Sequence, residues 1–238
     1  MVTRAPYKLP VGDLIGQTFS VYFRSFVPFV LLATMVMMPW IVLRIATDGS
    51  LDPGLTAVAG IVQSILSWVL TGAITYGVVQ QMSGKPAPFS ELLSVGLQSI
   101  LRVFVTGLVV GILVGLGMLL FFVPGIILTV VWFVAVPAAV IERVGVGAAM
   151  SRSAELTRGS RWQVFFGALF LGIVLVGATL IGLFLLAPSL EGQAPVWFDI
   201  VVALVLTPFS AVMYSVCYVL LRQGKENLDV QQLAAVFD

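Results

Sequence analysis

The chain has 238 residues, 60% of them hydrophobic and only 10% charged, with a net charge of +1 and no histidine. Soluble globular proteins carry about a quarter charged residues, so this composition is that of a membrane protein, and it offers no electrostatic footprint for nucleic acid. Without imidazole the commonest general base, the Ser-His and Cys-His nucleophile pairs and most zinc sites are absent, and the lone Cys217 forms no internal disulfide.

In chain order, residues 1–25 mix polar and apolar types, so the first apolar run is expected to act as an uncleaved anchor. Within 11–25, Val11, Leu14, Ile15, Thr18, Phe19, Tyr22 and Phe23 recur at i, i+3, i+4 spacing, continued by Phe26 and opposite Asp13, Gln17, Ser20 and Arg24. That pattern predicts an amphipathic helix in the headgroup plane. Spans follow near 26–46 and 56–79, each close to the roughly 20 apolar residues that cross about 30 Å of hydrocarbon. On the second span Gly60, Ser64, Ser67, Thr71 and Thr75 form a stripe of small and hydroxyl residues. Such a stripe is either a helix–helix contact or the polar lining of a solute path. A second surface helix is expected over 89–101, with Leu93, Leu97, Ile100, Leu101 and Phe104 opposing Ser94, Gln98 and Arg102.

From 103 to 141 no charge occurs. As one helix this run would stretch about 58 Å, nearly twice the hydrocarbon core. It must fold back, giving spans near 103–122 and 125–142 about a turn at Val123-Pro124-Gly125. The second of these carries Pro137, which is tolerated where neighbours re-satisfy the freed carbonyl. Gly107, Gly111 and Gly115 make overlapping GxxxG steps that let a partner backbone approach closely. Trp68 and Trp132 fall mid-span, where they fill the bundle interior, face lipid or line a lipid-accessible cavity. A third surface helix over 146–158 sets Val146, Ala149, Met150 and Ser153 against Arg152, Glu155 and Arg158. Gly159 can end it, and Ser160 with Gln163 has capping-box spacing for the next span. Spans near 162–186 and 197–221 close the fold, the last with Thr207, Ser210, Tyr214 and Tyr218 aligned beside Pro208.

The fold class is therefore all-α: a single polytopic membrane domain of six spans with about three amphipathic surface helices. Of 12 lysines and arginines, only Arg44 falls on one side, beside Asp48, Asp52, Glu191 and Asp199. By the positive-inside bias both termini are expected in the cytoplasm. The joints Arg24-Ser25-Phe26, Arg102-Val103-Phe104 and Arg161-Trp162-Gln163 suggest three copies of one unit, a surface helix followed by a helical hairpin. Arg44 and Asp199 are placed to pair across the bundle near its outer end.

No catalytic residue, metal site or cofactor is expected, because no two buried carboxylates face each other and no deep charge marks a proton path. The best functional candidate is the cytoplasmic loop carrying Glu142, Arg152, Ser153, Glu155, Arg158 and Arg161. As a solvated connector it would hold i, i+3 ion pairs worth only tenths of a kcal/mol. As a lipid site its arginines would hold anionic headgroups, each adding about 1 kcal/mol. As a rigid floor it would use Glu142 to bond the backbone of the following helix. The expected function is that of a non-enzymatic membrane protein binding inner-leaflet lipid, or a membrane or cytoplasmic protein partner. The alternative is a transporter or permease for a small neutral or lipid-like solute, with Ser64, Ser67, Thr71, Gly107, Gly111, Gly115, Thr207, Ser210 and Tyr214 as lining.

The run from Pro137 through Glu142-Arg143, Ala149, Arg152-Ser153, Leu156-Thr157, Gly159 and Arg161-Trp162 resembles the signature of a family of six-span bacterial membrane proteins. That family is related to the membrane domain of some glycerophosphoryl diester phosphodiesterases. Gly12-Asp13-Leu14 through Phe19 to Phe29 is similar to its start, and Val123-Pro124-Gly125-Ile126 to its central turn. The resemblance implies a helical fold in the bacterial inner membrane and no assigned activity. Any phosphodiesterase chemistry belongs to a separate soluble domain, so no catalytic residue carries over.

Overall fold

The computed structural model describes residues 8–47, 52–85, 88–186 and 196–226, and the regular structure among them is all helical, without strands. Arg4, Asp48 and Glu191 lie outside the described residues. The helices are α1 (Val11–Arg24), α2 (Phe26–Ala46), α3 (Pro53–Met82), α4 (Phe89–Leu120), α5 (Phe122–Val131), α6 (Ala135–Ile141), α7 (Val146–Thr157), α8 (Arg161–Leu186) and α9 (Val196–Glu226). Six segments are long and apolar enough to cross a membrane: α2, α3, α4, α5 with α6, α8 and α9. The six-span, all-helical architecture expected from composition is the one observed.

The two central helices are α3 and α9, where every residue of 69–80 and most of 208–221 are buried. They run parallel, joined by a hydrogen bond between Thr75 Oγ1 and Ser215 Oγ at 2.9 Å. Around them pack α2, α4 and α6, while α8 makes only light contact with α1, α5 and α9. At the start of α3, Asp52 caps the helix by accepting from Gly54 N at 2.8 Å, and Pro53 supplies the preset φ of a first helical residue.

The short helices α1 and α7 form where expected. α1 leans on α8 and α9, burying Leu14, Thr18, Val21 and Tyr22, and is separated from α2 by Ser25 alone. Tyr22 Oη donates to the Val205 carbonyl at 2.8 Å, close to the Pro208 that disturbs the ladder of α9. Burial pushes that phenol up to about 12, so it keeps its proton and remains a donor. Gly159, at φ +90°, ends the α7 turn as a left-handed glycine can.

Three expectations are corrected. The second surface helix, 89–101, is not separate: it continues without a break into α4, because nothing from Phe89 to Phe104 is a glycine-proline stop and Arg102 sits within the helix. Its inward face is neither the leucine-rich set nor the polar one, but a third, between them. Leu92, Gly96, Ser99, Val103, Thr106 and Gly107 face α3, while Leu97 and Leu101 are 65% and 70% exposed. Small residues win the interior because they let α3 come close: a Cβ on Gly96 would lie 2.9 Å from Ala73 Cβ. The large apolar residues face lipid instead. The three-unit repeat accordingly loses its second joint.

The fold-back lies at Phe121, extended at φ −153° and ψ 120°, not at Val123-Pro124-Gly125. Pro124 falls in the first turn of α5, where a missing N–H leaves no bond broken. Gly125 instead permits the tight packing of the hairpin, since a Cβ there would meet the Met118 nitrogen at 2.6 Å. The fourth span is interrupted as well. The chain departs from the α-helix at 132–134, with Ala135 N bonded to Trp132 O at 3.0 Å rather than to the Val131 carbonyl.

Candidate functional site

The loop after α6 is held by a compact ionic cluster. Glu142 Oε1 accepts from Arg152 Nε at 2.7 Å and from Tyr218 Oη at 2.8 Å. Arg152 also donates from Nη1 to Glu155 Oε2 at 3.2 Å and from Nη2 to Glu226. Arg222 donates to Glu226 Oε2 at 2.8 Å and to Tyr218 Oη at 2.9 Å. Lys225 Nζ reaches the carbonyls of Glu155 and Arg158 at 2.7 and 2.6 Å, completing the C-terminal end of α7. The Arg152 and Glu142 side chains are only 20% and 17% exposed. Burial alone would push the Arg152 guanidinium down, yet its bond and attraction to Glu142, with Glu155 beside it, hold it above its ordinary value. With its carboxylate partners ionised, a cation held above its ordinary value loses this contribution only as the pH rises into strong base.

Beneath this cluster α7 closes the gap in the fourth span. Ser153 Oγ donates at 2.8 Å to the Val131 carbonyl that the break leaves without its helical partner, and Thr157 Oγ1 donates to Ser153 O at 2.9 Å. Both side chains are fully buried.

The loop residues thus divide. Glu142, Arg152 and Glu155 form a rigid floor, with Glu142 bonding side chains of α7 and α9 and not the backbone of the next helix. Ser153 is a packing residue. Arg158 and Arg161 keep exposed side chains that make no ion pair among the described residues, and Glu155 pairs with Arg152 rather than Arg158. Sequence reading missed Tyr218, Arg222, Lys225 and Glu226. The i, i+4 spacing of Tyr218–Arg222 and Arg222–Glu226 was the available signal.

Arg161 stands at the end of an apolar groove. Between α5 and α8 lies an open hollow of about 900 Å³, walled by Phe122, Ile126, Val130, Phe165, Leu169 and Ile173, with Gly172 and Gly177 among its lining. A second hollow of about 370 Å³ shares Ile126, Val130 and Phe165 with it and is bounded by Arg161 and Trp162. The bond from Leu9 N to Ser160 Oγ at 3.3 Å brings exposed Lys8 to the same end.

The mid-span residues gather about a smaller cavity of about 220 Å³, bordered by Trp68, Thr71, Gly107, Gly111, Trp132 and Tyr214. Trp68 and Trp132 therefore line a cavity. Gly107 and Gly111 receive the indole of Trp68 rather than a neighbouring backbone, and Gly115 meets nothing within 4 Å. Ser64, Ser67 and Thr71 donate to the carbonyls of Gly60, Gln63 and Ser67 in their own helix, and Ser210 donates to Thr207 O. Of the α9 stripe only Tyr214 reaches this cavity, its ring edge-on to Phe133 at 4.8 Å. No protein-family model, curated protein or solved structure matches this chain.

Proposed function

We propose that the protein is a non-enzymatic membrane protein that binds anionic phospholipid at the cytoplasmic leaflet, with both termini in the cytoplasm of a bacterial inner membrane. The single observation that supports this reading is the α5–α8 groove, apolar along its length and bounded by a guanidinium and an indole at one end. Acyl chains suit the groove, and a phosphate suits Arg161 with Arg158 and Lys8 nearby. Arg152 is not part of this site, because three carboxylates already surround it. Kinship with the six-span family named above belongs to the same proposal, carried by the 137–162 stretch. A transporter for a small neutral solute is the weaker reading: a cavity of about 220 Å³ has room for roughly seven waters, and the hydroxyls of the α3 stripe already donate within their own helix.

Native mass spectrometry of the detergent-extracted protein tests the proposal. Anionic phospholipid is expected to be retained, and to be lost in the double variant Arg158→Ala/Arg161→Ala while the Glu155→Ala variant keeps it. Equal lipid content in all three proteins would overturn it.

A further inference from the structure

The other end of the bundle holds a second polar site. A cavity of about 340 Å³ opens between α2, α3, α8 and α9, with Trp40, Arg44, Thr56, Gln63, Thr179 and Asp199 among its walls. Arg44 Nη2 donates to Asp199 Oδ2 at 2.5 Å, which leaves the other guanidinium N–H groups and the second carboxylate oxygen without partners among the described residues. Trp40 is only 3% exposed overall and Gln63 is half-buried, and neither side chain donates to another described residue. The Thr56 and Thr179 hydroxyls donate to the Asp52 and Leu175 carbonyls, so they offer the cavity only acceptor lone pairs.

A cavity of this size has room for roughly ten waters. The groups here are built for an occupant that accepts at one end and donates at the other. Arg44, Trp40 and Gln63 line the cavity and carry guanidinium, indole and amide donors. A free carboxylate oxygen, an amide oxygen and two threonine hydroxyls supply acceptors. The charges sum to zero, so a simple anion or cation meets one like charge, whereas a molecule carrying both signs meets two complements.

We infer that this cavity binds a small zwitterion, its oxyanion held by Arg44 and Trp40 and its ammonium by Asp199 and Gln63. A free amino acid and the ethanolamine-phosphate headgroup of a lipid share that chemistry. The site is independent of the α5–α8 groove.

The test uses the full chain in nanodiscs of phosphatidylglycerol, which has no ammonium group. L-Alanine and O-phosphoethanolamine are titrated separately by calorimetry, and nanodiscs containing phosphatidylethanolamine are analysed for retained lipid by native mass spectrometry. At least one arm is expected to saturate at one molecule per chain. Saturation by a soluble probe assigns a free solute, and retention of phosphatidylethanolamine alone assigns a headgroup. Gln63→Leu and Asp199→Asn are expected to weaken binding at least tenfold. Gln63→Leu leaves the ion pair in place, so an unchanged unfolding midpoint separates a lost site from a lost fold. Absence of saturable binding in every arm, undiminished binding by both variants, or acetate or ethylamine binding as tightly as the zwitterion would each overturn the inference.

Discussion

Gly107, Gly111 and Gly115 share a spacing but not a role. A Cβ added at 107 would lie 2.6 Å from the Trp68 ring, whereas one added at 115 meets nothing within 4 Å. Gly107→Ala is therefore expected to destabilise by about 1–3 kcal/mol through overpacking. Gly115→Ala should be neutral or stabilising by up to about 1 kcal/mol, since alanine is the better helix former. Thermal unfolding in detergent distinguishes the two, and equal effects would mean that Trp68 does not occupy the glycine groove. The spacing of these glycines was legible in the sequence; the indole opposite them was not. GxxxG records only that something must come close, and what does so belongs to a different helix. Ser153 shows the same limit, because its partner, the Val131 carbonyl, exists only where the fourth span breaks.

At the level of elements, apolar periodicity located the helices but left open which face of α4 looks inward. In water a helix buries its leucines, which would make Leu93, Leu97 and Leu101 the packing face. Where lipid is the solvent that preference vanishes, and the smallest residues take the interior for closeness. The charged loop was legible in part: Arg152 does meet Glu155 at the expected spacing. Its stronger partners, Glu142 and Glu226, come from the end of α6 and the end of α9, distances in sequence that no local pattern spans. Arg152→Ala leaves Glu142 and Glu226 without this cation and should cost about 1–3 kcal/mol. Glu155→Ala, at a side chain 70% exposed, should cost less than about 1 kcal/mol. Comparable losses of unfolding midpoint in the two variants would show that the cluster does not clasp α7 to α9.

For the whole molecule, length and charge spacing carried most of the information. A charge-free run too long for one crossing implied a hairpin, and the hairpin fixed the count at six. The described ends of the chain meet, Leu9 on Ser160 and Lys225 on the Arg158 carbonyl, so both lie at one end of the bundle. The positive-inside bias predicts that this end faces the cytoplasm. Because native Cys217 is buried, an impermeant maleimide should report only introduced thiols. Thr56→Cys is expected to label on intact cells and Arg158→Cys only after permeabilisation; the reverse pattern would invert the orientation.

The tip of the α4–α5 hairpin, Leu119 to Val123, is apolar throughout, and Phe121 at its apex is 73% exposed. During synthesis, then, the two arms can slip into the bilayer together as one wedge. No charged or hydrogen-bonding side chain has to be dragged through hydrocarbon, and such passage is the principal energetic obstacle to inserting a loop. The third and fourth spans can therefore enter as a pair, without separate start and stop signals.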